Sequence, residues 1–202
     1  MVSDGERGAA GLLERGGELG LIGALVARVR GGEGAVLVVE GQAGVGKTEL
    51  LRAAGELGDA EGLRVLRTRG SDLDRAFAFG VVRQLLEREV ADDPELLTGG
   101  AEPAAAVFAA AGGDTRAEEG VFSSLQGLHW LVVNLAARKP LLLLADDIHW
   151  ADTASLRWLV FLAERVEDVK ALLVVATRPA EPGADQELLD ALMVAPAVRV
   201  VR

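Results

Sequence analysis

The chain has 202 residues, of which 50% are hydrophobic, so its length and composition fit one globular domain and leave little room for a second. Its 31 acidic and 21 basic residues give a net charge of -10, which argues against a surface built to neutralise nucleic-acid phosphates. The absence of cysteine excludes disulfide scaffolds, thiolate metal sites and cysteine nucleophiles.

The first third of the chain predicts two helices and two strands around a glycine-rich loop. Apolar residues at helical spacing predict a helix over 18–30, within a lead-in segment that spans 12–33. The β-branched run 35–40 predicts a strand that is buried on both faces, and residues 47–58 resume a helical pattern. A second strand is predicted over 64–68.

The rest of the chain predicts a helical insertion followed by alternating elements. The insertion spans 70–140, with helices predicted over 79–90, 102–111 and 117–138. The later elements are a strand over 141–146, a helix over 153–166, a strand over 171–177, a helix over 187–193 and a strand over 197–201. Strands that alternate with helices predict a three-layer α/β domain with a five-stranded, mainly parallel sheet.

The loop between the first strand and its helix fits the phosphate-binding pattern of Gly, any four residues, then Gly-Lys-Ser/Thr. Its residues are Gly41, Gln42, Ala43, Gly44, Val45, Gly46, Lys47 and Thr48. Glycines that adopt positive φ let successive backbone N–H groups face an anion, and the next helix adds its positive N-terminal end. We expect Lys47 to reach the β and γ phosphates of a nucleotide and the Thr48 hydroxyl to bind Mg²⁺.

Two later strands end in polar residues that suit the same site. Asp146 would hold Mg²⁺, and the adjacent Asp147 would orient or deprotonate the attacking water. Because aspartate is shorter than the glutamate more often met at this position in fast ATPases, we expect slow turnover. Thr177 and Arg178 would face the γ phosphate if their strand lies between the first and the third. The simpler alternative for Arg178 is a solvated arginine at a strand end.

Other polar and aromatic residues near the acidic pair have structural explanations beside functional ones. His149 and Trp150 follow the pair directly, and this placement fits a coupling role and simple packing of the tryptophan equally well. Asp152 would cap the next helix, and Trp158 lies on the apolar face of that helix. With His129 as the only other histidine, a histidine metal site is not expected.

The segment Asp146-Asp147-Ile148-His149-Trp150-Ala151-Asp152 closely resembles the extended Walker B motif of the large ATP-binding regulators of the LuxR type. Those proteins belong to the STAND branch of the AAA-related P-loop ATPases. Residues 13–19 and 77–86 resemble two further motifs of the same proteins. The resemblance thus extends over nearly the whole chain.

This resemblance implies a single P-loop ATPase domain over 1–202, of the class with an additional strand (ASCE) and the strand order 5-1-4-3-2. It implies ATP and Mg²⁺ as ligands, with Lys47, Asp147 and Arg178 acting in hydrolysis. It also places Arg15 near the adenine. Because regulators of this type carry their DNA-reading helices in other segments, we expect any DNA contact to lie outside this chain.

We therefore expect an ATP-binding, slowly hydrolysing switch domain whose partners are ATP or ADP and, through nucleotide-dependent self-association, further copies of itself. One alternative is a small-molecule or nucleotide kinase, which shares the phosphate loop. Another is a non-catalytic interaction module that holds nucleotide as a structural ligand. Residues 1–8 lack the apolar core of a signal peptide and the apolar runs are too short to span a bilayer, so we expect a cytoplasmic chain without a membrane partner.

Overall fold

The computed structural model describes residues 16–109 and 118–202, and within these ranges five strands form one sheet. The strands are β1 (Ala35–Glu40), β2 (Arg64–Arg69), β3 (Leu141–Asp146), β4 (Ala171–Thr177) and β5 (Val198–Val201). They are paired in the order β2-β3-β4-β1-β5, and every pairing is parallel. This is the predicted order 5-1-4-3-2 counted from the opposite edge, so the predicted sheet is confirmed.

Helices and short 3-10 turns connect the strands. The α-helices are α1 (Gly16–Arg30), α2 (Lys47–Ala60), α3 (Gly80–Asp92), α4 (Ala105–Phe108), α5 (Glu118–Arg138), α6 (Thr153–Ala163) and α7 (Gln186–Val194). The 3-10 helices are Asp72–Ala76, Pro94–Leu97, Gly99–Ala104 and Ile148–Trp150. Among the described residues, no helix is both long enough and apolar enough to cross a lipid bilayer.

Side chains of the strands alternate between two apolar layers, which makes the domain three-layered. Val36 and Val38 of β1 point into the layer formed with α3, α5, α6 and α7. Leu37 and Val39 point into the opposite layer, formed with α1 and α2. Trp158 of α6 is fully buried in the first layer, as its helical spacing predicts.

The predicted helix over 102–111 is confirmed only over Ala105–Phe108. The chain forms the 3-10 helix Gly99–Ala104 and then α4, which ends at Phe108, while 110 and 111 lie outside the described residues. Pro103 lacks the N–H group that an α-helix needs. Gly100 lies so close to Trp130 that an added Cβ would be 2.6 Å from the indole ring, and this packing fixes the turn.

The helix predicted over 153–166 ends earlier, at Ala163. The chain turns there toward β4, and the apolar side chains of Val166 and Val169 are buried in the core of this turn. The apolar character of Val166 thus reflects its burial in the turn that follows α6, and not a continuation of the helix.

Candidate functional site

The carboxyl ends of the parallel strands meet at one edge of the sheet, the edge at which open α/β folds bind ligands. β1 and β4 end side by side because Glu40 lies opposite Thr177 in their register. β2 and β3 likewise end side by side, with Arg69 opposite Asp146. The loops that follow these four strands are therefore neighbours.

The loop after β1 has the backbone conformation that its glycines permit. Gly44 and Gly46 have φ angles of 81° and 86°, in the left-handed region that other residues rarely adopt. Gly46 immediately precedes α2, so the N-terminal end of this helix opens onto the loop. At Gly41 an added Cβ would lie 2.9 Å from Cγ2 of Val45, which shows how closely the loop folds on itself.

Lys47 is held within this loop. Its side chain is buried, and Nζ donates hydrogen bonds to the carbonyl oxygens of Gly41 at 2.7 Å and Gln42 at 2.9 Å. The ammonium group is thus fixed beside the backbone that the phosphate pattern predicts to surround an anion.

Thr48, the second residue of α2, contacts Asp146, the last residue of β3. The Thr48 hydroxyl donates a hydrogen bond of 2.7 Å to Oδ2 of Asp146, across 98 positions of sequence. Oδ1 of Asp146 accepts a hydrogen bond from the Asp147 backbone N–H at 2.9 Å. An open cavity of about 190 Å³ adjoins the Thr48–Asp146 contact.

The donor set at this contact fits Mg²⁺ only if other ligands complete it. A hydroxyl and a carboxylate are the hard oxygen donors that Mg²⁺ prefers. The described residues contain no cluster of three or more His, Asp or Glu side chains that could hold a metal by themselves. Mg²⁺ usually binds through one or two carboxylates together with nucleotide phosphates and water, so Thr48 and Asp146 fit a metal that arrives with a nucleotide.

Asp147 is engaged by an arginine from the neighbouring strand. Its backbone is in the left-handed region at φ 51°, and its Oδ2 accepts hydrogen bonds from Arg69 Nη2 at 2.8 Å and Nε at 3.1 Å. The hydrogen bond to Asp147 raises the pKa of Arg69, so this guanidinium keeps its positive charge. An added Cβ on Gly70 would lie 2.5 Å from the Asp147 carbonyl oxygen, so the end of β2 packs directly on this residue.

The loop after β4 brings a second arginine to the site. Nη1 of Arg178 lies 3.6 Å from Oε2 of Glu181, in the same loop. Among the described residues, neither Nε of Arg178 nor Oγ1 of the buried Thr177 has a hydrogen-bond partner. Buried polar atoms are rarely left without partners, so these two atoms indicate a place where a ligand or water is accommodated.

His149 is buried beside Asp147. Its Nε2 lies 3.9 Å from Oδ1 of Asp147, which is too long for a hydrogen bond, and neither ring nitrogen has a partner among the described residues. Burial lowers the pKa of His149, and the positive charge of Arg178 acts in the same direction while Asp147 opposes it. The folded protein therefore holds this imidazole in its neutral form near pH 7.

We expect the stability of the fold to decrease in mild acid because of this histidine. An unfolded histidine gains a proton near its ordinary pKa of 6.5, whereas the folded His149 gains one only at lower pH. The unfolded state then binds more protons, so the free energy of unfolding falls as the pH falls from 6.5 toward the lowered pKa. Between pH 7 and pH 5.5, the His149→Gln variant should lose about 1 kcal/mol less than the wild type in urea unfolding. Identical losses in the two proteins would assign the acid sensitivity to other groups.

The predicted site residues are largely neighbours in the structure. The loop 41–48, the two aspartates and Arg178 lie at the same edge of the sheet, whereas Arg15 lies outside the described residues. Arg69 was not among the predicted residues. The sequence shows only an arginine at the end of a predicted strand. Its proximity to the acidic pair follows from the pairing of β2 with β3, which places Arg69 opposite Asp146.

The sequence matches the family model of the AAA ATPase domain over residues 11–175. A search of curated proteins gives no match. Among solved structures, a crystal structure of a DNA replication initiation factor has a TM-score of 0.40 and 17% identity, and the alignment covers 100% of this chain and 47% of that one. For C. elegans PCH-2 the TM-score is 0.44 and the identity 13%, with 91% of this chain and 41% of that chain covered.

This chain thus spans less than half the length of either of these proteins. The match to the family model is of a different kind, because it covers most of the sequence, including the phosphate loop and β3. The chain belongs to the AAA ATPase domain family.

Proposed function

We propose that this domain binds Mg-ATP at residues 41–48 and hydrolyses it slowly, as the nucleotide-dependent switch of a regulator of the LuxR type. The observation that carries the proposal is the 2.7 Å contact between Thr48 Oγ1 and Asp146 Oδ2. It joins the phosphate loop to the acidic end of β3, as a site for a metal-bound triphosphate requires. The kind of regulator is supported by the resemblance of residues 146–152.

Binding would use the loop, Lys47 and the oxygen pair. Lys47 would exchange the carbonyl oxygens of Gly41 and Gln42 for oxygens of the β and γ phosphates. Thr48 and Asp146 would hold Mg²⁺, which on binding neutralises charge on the phosphate oxygens. Arg178 would leave Glu181 for the γ phosphate, because a phosphate is the stronger anionic partner for a guanidinium.

Hydrolysis would use Asp147. A water oxygen bonds to the γ phosphorus while the bond to the bridging oxygen of the β phosphate breaks, and ADP leaves with that electron pair. Asp147 accepts the proton of the water, and the cationic side chains Lys47 and Arg178 stabilise the charge on the transferred group. The products are ADP and inorganic phosphate.

The ion pair between Arg69 and Asp147 supports slow turnover. Oδ2 of Asp147 accepts two hydrogen bonds from the guanidinium, so this oxygen faces Arg69 instead of a water. Asp147 would therefore become an effective base only in molecules in which Arg69 has moved away.

The first test is the Asp147→Asn variant. We expect its rate of phosphate release from Mg-ATP to be about tenfold or more below that of the wild type, since an amide cannot accept the proton. Its affinity for Mg-ATP should stay within about twofold, because the oxygen pair proposed for Mg²⁺ is Thr48 and Asp146, whereas the Asp147 carboxylate pairs with Arg69. Turnover and binding are measured by phosphate release and by calorimetric titration. Unchanged turnover would show that the water is activated elsewhere, and transfer of the phosphate to an added acceptor would favour the kinase alternative.

The second test is the Arg69→Met variant, which keeps a long side chain but removes the guanidinium. Release of Asp147 should raise the rate of hydrolysis about threefold to tenfold. Arg67→Met is the matched control, because Arg67 lies two residues earlier in β2 and pairs with the exposed Asp59 at 3.3 Å, away from Asp147. A lower rate in Arg69→Met would mean that Arg69 assists hydrolysis and does not restrain it.

A further inference from the structure

Arg75 joins the loops that follow β3 and β4. It lies in the 3-10 helix Asp72–Ala76, after β2, and its Nη2 donates hydrogen bonds of 3.3 Å to the carbonyl oxygens of His149 and Pro182. Its Cζ lies 4.3 Å from the centroid of the Trp150 ring, in a cation–π contact. One side chain thus contacts the turn after the acidic pair and the loop that carries Arg178.

The loop after β4 is shaped around this guanidinium. Gly183 has a φ angle of 78°, and a Cβ added to it would lie 2.6 Å from Nη1 of Arg75. The Arg75 side chain is only 27% exposed, and its Nε has no hydrogen-bond partner among the described residues. An arginine that serves only solubility would keep its guanidinium in water, so this burial indicates a positional role.

The contacts of Arg75 bear on the part of the site that meets the terminal phosphate. Pro182 and Gly183 directly follow Glu181, the ion-pair partner of Arg178. His149, whose carbonyl Arg75 holds, lies beside Asp147. Arg75 therefore fixes the loop of Arg178 relative to the turn of Asp147.

We infer that Arg75 is a positioning residue that sets Arg178 against the γ phosphate and thereby determines the preference of the domain for ATP over ADP. This inference rests on the proposed function. The β phosphate, which ADP shares, would be bound by the loop 41–48, which none of the described contacts of Arg75 involves. Loss of Arg75 should therefore weaken ATP binding selectively.

The test is titration of Mg-ATP and Mg-ADP into the wild type and the variants Arg75→Met, Arg75→Lys and Gly183→Ala. We expect the ratio of ADP to ATP dissociation constants to fall about fivefold in all three variants, with the ADP constant unchanged within about twofold. Arg75→Lys should fail to rescue because an ammonium cannot stack flat on Trp150 while it donates to two carbonyls. In Gly183→Ala the added Cβ displaces the guanidinium and the positive φ strains the loop backbone, while the charge of Arg75 is kept, so this variant tests the fit of the loop to Arg75 separately from the charge. Arg83→Met is the control, since Arg83 pairs with Glu87 on the neighbouring α3.

Each other outcome overturns the inference in a recognisable way. A wild type that binds neither nucleotide defeats the proposed function, and the inference with it. A wild type that binds both nucleotides equally defeats the inference and leaves nucleotide binding intact. A ratio that is retained in Arg75→Met and Gly183→Ala, or an equal loss of both affinities together with a lower melting temperature, shows that Arg75 acts only in stability.

Discussion

Replacing Lys47 with alanine should weaken the binding of Mg-ATP by about 100-fold or more. Lys47 is 6% exposed, and the carbonyl oxygens of Gly41 and Gln42 hold its ammonium group inside the loop. The charge is thus positioned before the ligand arrives, and little side-chain entropy is lost when a phosphate replaces the carbonyls. In the variant, the loop 41–48 would contact the phosphates through backbone dipoles alone, beside Mg²⁺ and Arg178 in the proposed site. Calorimetric titration of ATP and of ADP in the presence of Mg²⁺ measures the difference.

The matched control for this experiment is Lys139→Ala. Lys139 is exposed just beyond α5, and its replacement removes the same charge from another part of the surface. The control should bind Mg-ATP like the wild type, which separates the local contact from the effect of net charge. Equal affinities in Lys47→Ala and the wild type, with both proteins folded by circular dichroism, would remove the loop 41–48 from the proposed site.

The sheet could be predicted from the sequence because its strands are continuous apolar runs. β3 and β4 are buried along their whole length, and such runs, bounded by polar residues and by helices, have few other interpretations. The segment around Pro103 was predicted less well. Its backbone is decided by the packing of Gly100 under Trp130, thirty positions later in the chain, and no local pattern contains that contact.

The same distinction applies to the candidate site. The conformation of the phosphate loop depends on the positive φ angles of Gly44 and Gly46, which the residue type itself permits. Thr48 and Asp146 were both predicted to bind Mg²⁺, which already required them to be neighbours. Arg69 and Arg75 could not be selected from the many arginines of the sequence. Their contacts depend on which strands are neighbours and on how three loops pack on one another, and these are properties of the assembled fold.

Replacing Asp152 with alanine should lower the free energy of unfolding by about 3–5 kcal/mol. One contact of this residue can be predicted from local sequence, and the others depend on the assembled fold. The sequence predicts it as the cap of α6, and its carboxylate accepts hydrogen bonds from the backbone N–H of Ser155 at 2.9 Å and from the Ser155 hydroxyl at 2.6 Å. The same carboxylate also accepts hydrogen bonds from the N–H groups of Phe79 at 2.8 Å and Gly80 at 3.0 Å. It therefore caps α3 as well, whose own N-cap residue, Phe79, has no side chain that could do so.

The size of this effect follows from burial. Asp152 is 4% exposed, so alanine would remove the acceptor of the Phe79 and Ser155 N–H groups in a place that water reaches poorly. The Gly80 N–H would keep the Phe77 carbonyl oxygen at 3.0 Å. Asp185→Ala is the matched control: Asp185 also caps a helix, α7, but its half-buried carboxylate accepts two long hydrogen bonds of 3.4 Å, from the Leu188 N–H and from the Thr153 hydroxyl. Urea unfolding should show a loss of about 1 kcal/mol or less for this control. Losses of similar size in the two variants would mean that Asp152 acts as an ordinary cap of α6 and that the start of α3 is held by other contacts. A much larger loss for Asp152 would show that the turn after the acidic pair and the helix after β2 are stabilised by one carboxylate, so that neither can move without affecting the other.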